Sequence, residues 1–451
     1  MTINDAALRE LQAAMKGHVL RPGADGYERA RRIFNAMIDR RPALIARCER
    51  AADIVACVGF ARAHGLDVSV KGGGHNVSGK AVCDGGLMID LSPMKRVQID
   101  AQRRTVRAEP GLTLGELDRE CQAFGLAAPT GNISPTGIAG LTLGGGIGWL
   151  NGKHGLACDN VLSVDIVTAD AKLRTASAAE HADLFWAVRG GGANVGVVTS
   201  FEYRLHPIGP VLGGAVAWPI GQARRVLAFY DELARGCPDE LCVNAGFGWG
   251  EDGAPMLGVA VAWIGDLDTG ERLLKPLRSF GHPLADGIGR MSYVELQRGG
   301  DGAFPQDRRH YWKGGFLHRL GPEAIDVLAH FAATCPSPQS QIGLQQMHGA
   351  AARVGPTETA FAHRHDQWDC LMLAQWEDAA ADEKNIRWAR ELHAAMASHL
   401  ERAVYVNDLG ADEADRVRAA YGANYERLLA IKTKYDPGNF FRANQNVVMA
   451  A

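Results

Sequence analysis

Three glycine-rich runs lie in the first half of the chain: Gly72-Gly73-Gly74, residues 137–148, and Gly190-Gly191-Gly192. Each follows or flanks a segment that reads as a strand. Backbone N–H groups close on a pyrophosphate only where no Cβ intervenes, so three such loops in one domain predict a bound dinucleotide. One loop alone would serve equally well as a tight turn. Glycine is correspondingly abundant, 54 of 451 residues, above the usual share of about 7% and without a collagen-like period. A nicotinamide-binding Rossmann unit is the obvious rival, because Gly144-Gly145-Gly146-Ile147-Gly148 superficially resembles its fingerprint. That fingerprint belongs in the first strand-to-helix turn, with an acidic residue about 20 positions further on. Here five predicted strands precede the loop, and the context fails.

The length predicts two or three domains at about 150 residues each. Residues 5–15 and 27–38 carry helical patterns and read as an amino-terminal arm. A strand at 43–48, a helix from Asp53 and a strand at 67–71 form a β-α-β unit, and short strands at 87–91, 97–100 and 105–109 make the sheet mixed. Thr113 and Glu116 have the spacing of a helix capping box. Beyond Pro207 amphipathic helices, the first at 221–237, alternate with strand pairs. A hairpin at Glu251-Asp252-Gly253 joins strands 241–249 and 256–264, and 341–347 with 367–376 repeats the arrangement. This pattern predicts an α+β fold whose second domain is an antiparallel sheet covered by helices, with a boundary near residues 207–210. Residues 405–448 read as a strand, a helix at 413–435 and an irregular tail.

With 48 basic and 51 acidic residues the net charge is −3, which offers no footprint for nucleic acid or an anionic membrane. The longest apolar stretches are about half the ~20 residues needed to cross a bilayer. The amino terminus lacks the apolar core of a secretory signal, and nine scattered cysteines fit a reducing compartment, so a cytoplasmic location is expected. Neither the pair Cys237 and Cys242 nor His363-Arg364-His365 makes a metal motif, and no metal is expected. The expected partner is a small molecule.

Two reactive side chains stand beside the glycine loops: His75, and Cys158 in the run Gly155-Leu156-Ala157-Cys158-Asp159-Asn160-Val161. Lys71-Gly72-Gly73-Gly74-His75-Asn76-Val77-Ser78-Gly79, the Cys158 run and the segment Trp186-Ala187-Val188-Arg189-Gly190-Gly191-Gly192 to Val198 resemble the FAD domain of the vanillyl alcohol oxidase and para-cresol methylhydroxylase superfamily. Tyr421-Gly422-Ala423-Asn424-Tyr425 and Tyr435-Asp436-Pro437-Gly438-Asn439 through Asn446 resemble its berberine bridge enzyme-like carboxy terminus. The resemblance implies an arm at 1–38, a two-part FAD-binding domain of the para-cresol methylhydroxylase type at 39–208, a substrate domain at 209–402, and a segment at 403–451 that packs back on the FAD domain. It implies FAD held by two covalent bonds, from His75 and from Cys158, the latter as a partial thiolate beside cationic groups. It also implies a cofactor cradle of Gly72, Gly73, Gly74, Asn76, Ser78, Pro135, Thr136, Gly140, Gly145, Gly146, Gly148, Val161, Val197 and Val198, joined by Asn444 and Asn446 from the tail.

The implied reaction is hydride transfer to the flavin from a C–H bearing a hydroxyl or amine, with a base taking the heteroatom proton. Many relatives carry Tyr-x-Asn-Tyr at the position of the base, whereas this chain reads Tyr405-Val406-Asn407-Asp408. Asp408 serves as base only if burial raises its pKa, and Tyr405 or Tyr421 is the substitute. Trp312, Lys313, Gln346, His348 and Arg364 are the candidate substrate contacts, with Gln346 and His348 sharing one strand face. Neutral apolar walls would favour an amine or aromatic substrate, and many polar groups with stacking tryptophans a sugar. The electron acceptor is O2 or another molecule, with bulky Ile138 in the oxygen-gating loop 136–141. A scaffold that binds without turnover is the third reading.

Overall fold

The computed structural model describes residues 5–250 and 253–449. The amino-terminal half holds two principal sheets. In the first, strand Leu44–Arg47 runs parallel to Leu87–Asp90, which runs parallel to Val68–Lys71, and His18–Leu20 closes the edge antiparallel. Leu87–Asp90 therefore inserts between the two strands of the expected β-α-β unit, with helix Ala51–Ala63 as the crossover. The second sheet is wholly antiparallel, ordered Val97–Asp100, Thr105–Ala108, Val197–Arg204, Val161–Val167, Leu173–Ser177. Thr113 and Glu116 form the capping box of helix Leu114–Gln122. The arm is less helical than its pattern: Asp5–Ala14 is a helix, but the second stops at Arg31.

An eight-stranded antiparallel sheet spans Val211 to Trp376. The residues predicted at its first turn, Glu251 and Asp252, lie outside the described residues, but the strands they join, Leu241–Trp249 and Pro255–Trp263, pair in full register. Alternation along these strands gives the sheet two unlike faces. Leu241, Val243 and Phe247, with Leu257, Val259 and Val261 beside them, pack into one core with helices Ala223–Gly236, Leu267–Arg278, Pro322–Ala333 and Asp382–Met396. Several of the intervening positions on the opposite face are small, Ala215, Gly246, Gly258, Ala260 and Gly343, with Asn244, Met256, Gln341 and Gln345 between them.

The carboxy-terminal segment does not begin as a strand. Val406–Asp408 is a 3-10 turn, and the expected single helix is broken at Gly422, whose φ of 51° favours a residue without Cβ, into Val417–Tyr421 and Tyr425–Tyr435. Leu428, Ile431 and Tyr435 bury against Leu184 and Phe185 of the amino-terminal half. The buried Lys432 ammonium donates to Asn194 O (3.0 Å) and Phe441 O (2.9 Å) and pairs with Asp436 at 3.1 Å. No helix among the described residues is long and apolar enough to cross a membrane. Replacing Asp436 by Ala strands that ammonium, so we expect about 3–5 kcal/mol of stability to be lost, read as a lowered thermal midpoint, with Lys432→Met costing less.

Candidate active site

A cavity of about 610 Å³ opens between the glycine loops and the small-residue face of the large sheet. Gly72, Gly73, Gly74, His75 and Asn76 line one wall, Thr136, Gly137 and Gly140 the next, and Asn444 and Gln445 arrive from the tail. The two loops cross backbone to backbone. A Cβ on Gly73 would lie 2.5 Å from Gly137 N, and one on Gly137 2.4 Å from Gly73 N, so neither position admits any other residue. Gly140 has open space where its Cβ would be. Gly145, Gly146 and Gly148 play a different part from that expected: they allow close packing against Phe361, Ala157 and Thr130 O, and are not among the lining residues. Ser78, Pro135, Val161, Val197, Val198 and Asn446 also stand off this wall, Val161 and Val198 in one core and Val197 in another. Ile138 is fully buried in the core, whereas Thr136, Gly137, Gly140 and Leu141 of the same loop line the cavity.

His75 lines the cavity beside the glycine loop. Its ring stacks on Phe34 at 4.0 Å and 14°, and burial lowers its pKa to about 4. It is therefore a neutral imidazole at physiological pH, with a buried Nε2 that has no hydrogen-bond partner. That is an oriented nucleophile on a cavity wall.

Cys158 is placed differently. It is fully buried in a cluster with Leu156, Phe316, Met347, Phe361 and Tyr405, and does not line the cavity. Burial, reinforced by the Asp159 carboxylate, pushes its thiol far above the ordinary range, and the nearby Arg364 and Arg189 charges do not offset this. Arg364 reaches the Cys158 sulfur at 3.8 Å but is held mainly by Asp159, at 2.7 and 2.8 Å, and by Thr359 at 2.7 Å, so burial prevails and the neutral thiol is favoured. Arg364 is likewise not a substrate contact.

The candidate bases lie together at the far end of the cavity. Tyr405 lines it, its hydroxyl oxygen accepting from Gly146 N and from Asn407 Nδ2, each at 2.8 Å. Tyr421 lines it as well, but its hydroxyl donates to Gln445 O. Asp408 is buried and lines the cavity, within hydrogen-bonding reach of Asp369, which the sequence reading missed. Burial raises Asp369 to about 7, and burial together with the Asp369 charge raises Asp408 well above the usual carboxylate range. Two carboxyls in one dry site disfavour ionising together, so the protonated form of the pair is favoured. Strand alternation places Asp369 on the face of Leu371 and Leu373, both of which line the cavity. That register was the signal available for finding it.

The same alternation corrects three substrate candidates. Trp312 lines the cavity, but its neighbour Lys313 is on the other face, bound to Asp412 (3.0 Å) and Glu413 (3.3 Å). Gln346 turns toward the helices, accepting from Val243 N and donating to Ala234 O. His348 is buried near Gly152 and Cys237, away from the cavity. The cavity-facing positions of that strand are Gln341, Gly343 and Gln345.

A flavin dinucleotide suits these walls: a glycine cradle closed to any Cβ, an unpartnered imidazole nitrogen, and the buried, unpartnered Oδ1 of Asn444. Residues 42–177 match the FAD binding domain family and residues 404–448 the family described as berberine and berberine like. The chain is 33% identical to the (R)-6-hydroxynicotine oxidase of Paenarthrobacter nicotinovorans, over 96% of this chain and 97% of that one. It is 30% identical to an FAD-linked oxidoreductase of Dictyostelium discoideum, over 98% and 96%. The crystal structure of 6-hydroxy-D-nicotine oxidase from Arthrobacter nicotinovorans superposes with a TM-score of 0.88 at 33% identity, over 97% and 98% of the two chains. A chitooligosaccharide oxidase, 24% identical with a TM-score of 0.88, shares the fold.

The raised carboxyls fix the sign of a stability effect. Asp369 and Asp408 keep protons that the unfolded chain loses near pH 4, so their contribution to stability falls as pH rises from about 4 through 7. Asp408→Asn should therefore unfold at a higher temperature than the parent at pH 8, with the gap closing by pH 4, as thermal melts across that range will show.

Proposed function

The chain belongs to the berberine bridge enzyme-like FAD-linked oxidoreductases, and on that footing we propose that it is an oxidase of a largely apolar, amine-bearing substrate, with FAD attached at a single point, His75. When bound, FAD supplies a hydride acceptor for a C–H bond activated by a neighbouring heteroatom. The rest falls to the chain's own residues.

Attachment through His75 rests on its neutral, unpartnered and stacked imidazole. The burial of Cys158 behind Ile147 and Tyr405, which do line the cavity, and its raised thiol pKa support one tether in preference to two. The aspartate pair takes the proton from the substrate heteroatom: with a shared proton it carries one negative charge, which also attracts an ammonium group. Tyr405, accepting two hydrogen bonds, keeps its own proton to donate. The observation that carries the substrate class is the roof of Ala215, Gly246, Gly258, Ala260 and Gly343, with Leu371 and Leu373 beside it. The small residues of this roof leave room for a flat apolar body, and Asn244, Gln341 and Gln345 are the polar side chains beside them, fewer than a sugar needs. The resemblance to an enzyme named for hydroxynicotine is consistent with this.

O2 is the proposed acceptor, with another electron acceptor as the alternative. Thr136 rather than Ile138 occupies the cavity wall in the loop expected to gate it. A scaffold without turnover is disfavoured by the two buried carboxyls, which burden folding and leave Asp369 Oδ1 and Oδ2 and Asp408 Oδ2 without a hydrogen-bond donor.

Denatured protein on a gel viewed under ultraviolet light should keep its flavin fluorescence in Cys158→Ala and lose it in His75→Ala. Loss in Cys158→Ala would defeat the single-tether reading. Anaerobic mixing with a panel of cyclic aromatic amines and of oligosaccharides should bleach the flavin with an amine, and air should then yield hydrogen peroxide. Asp408→Asn and Asp369→Asn should slow the bleaching about 10²–10⁴-fold with the visible spectrum retained.

A further inference from the structure

Three metal-ligating side chains converge outside the cavity. His318 follows strand Arg309–Leu317, His365 precedes strand Gln367–Trp376, and Glu401 lies on the connection from helix Asp382–Met396 to the turn at Val406–Asp408. One ligand atom from each lies within 4.8 Å of the other two. His365 Nε2 stands 3.5 Å from Glu401 Oε1. Two ligands of a tetrahedral zinc ion, each bound at 2.0–2.2 Å, are about 3.4 Å apart, so this pair already has the separation of one tetrahedral edge. The His318 ring meets the His365 ring edge-on at 5.7 Å, within reach of a small side-chain rotation.

The positions are also held from behind. Glu401 N donates to Phe316 O at 2.9 Å, which ties the connection to the strand that delivers His318. Among the described residues no lysine or arginine pairs with Glu401, so its carboxylate is not committed to a surface salt bridge. His318 is exposed and the other two are half-buried, leaving an approach from solvent and room for a water as fourth ligand.

We propose that His318, His365 and Glu401 form a binding site for one divalent cation of the zinc class, outside the flavin cavity. Two imidazoles and a carboxylate suit zinc, nickel or copper better than calcium or magnesium, which take oxygen ligands. The ion would join three segments that lead to the reaction centre. Four residues beyond His365 is Asp369, and four beyond Glu401 is Tyr405.

The test uses the flavin-loaded protein, stripped with a chelator and titrated with zinc sulfate against a chromophoric chelator. One ion per chain is expected, with affinity falling more than about tenfold in His365→Ala and in Glu401→Gln. Cobalt in place of zinc should give the strong visible bands of a four-coordinate site. His318→Ala, at an exposed position, repeats the test should either of the other variants misfold, and an unchanged flavin spectrum certifies each fold. Absence of binding below about 100 µM zinc, weaker than any functional nitrogen-ligated site of this class, overturns the proposal. So does an affinity unchanged in all three variants, which would place the ion on other histidines.

Discussion

Each strand of the large sheet has to serve two neighbours that want opposite things. Four helices need bulk to pack against, and the cavity needs bulk removed. The pleat meets both demands within single strands, most clearly in 241–249 and 255–263, with valine, leucine and phenylalanine at one parity and Gly246, Gly258 and Ala260 among the residues at the other. A slip of one residue in any of these strands would push large side chains into the cavity and leave holes beneath the helices. Pairing over the full length of Leu241–Trp249 and Pro255–Trp263 makes such a slip costly. The substrate pocket and the stability of the second half of the molecule thus depend on the same register.

Against that apolar background the few ionisable groups gain their properties from dryness. His75 is kept neutral by burial, so its lone pair is available without a base to free it. Asp369 and Asp408 are kept partly protonated by burial and by each other. Cys158 shows the same effect in the opposite functional sense. Two arginines nearby do not offset its burial, and the Asp159 carboxylate beside it opposes them further. Proximity of positive charge in a motif is thus a poor guide when a carboxylate travels in the same motif.

What could be read from the sequence followed from local rules. The three glycine loops, the capping box at Thr113, the helix at Ala223–Gly236 and the antiparallel pairing of the second half all announce themselves within a few residues of chain. Trp312 reached the cavity as expected, but Lys313, Gln346 and His348 did not, because parity says which residues share a face and not which way that face points. Only the packing of the helices decides that. Asp369 escaped notice for a related reason: in a strand containing Trp368, Cys370 and Met372 it reads as an edge polar residue until Asp408, nearly forty positions away, is brought against it. The break at Gly422 and the turn at Tyr405 likewise answer to tertiary contacts, with Gly146 N on the Tyr405 hydroxyl and His363 beside Gly422.

The cavity wall draws on residues as early as Val70 and as late as Gln445. During synthesis the glycine loops leave the ribosome hundreds of residues before the asparagine and glutamine that complete their enclosure. A nascent chain therefore offers at most an open trough, and the enclosed chamber comes into being only when the tail docks and the Lys432 ammonium finds its carbonyls. Enclosure of the cavity is accordingly a late event for this chain, since its last wall is supplied by the last segment to be synthesised.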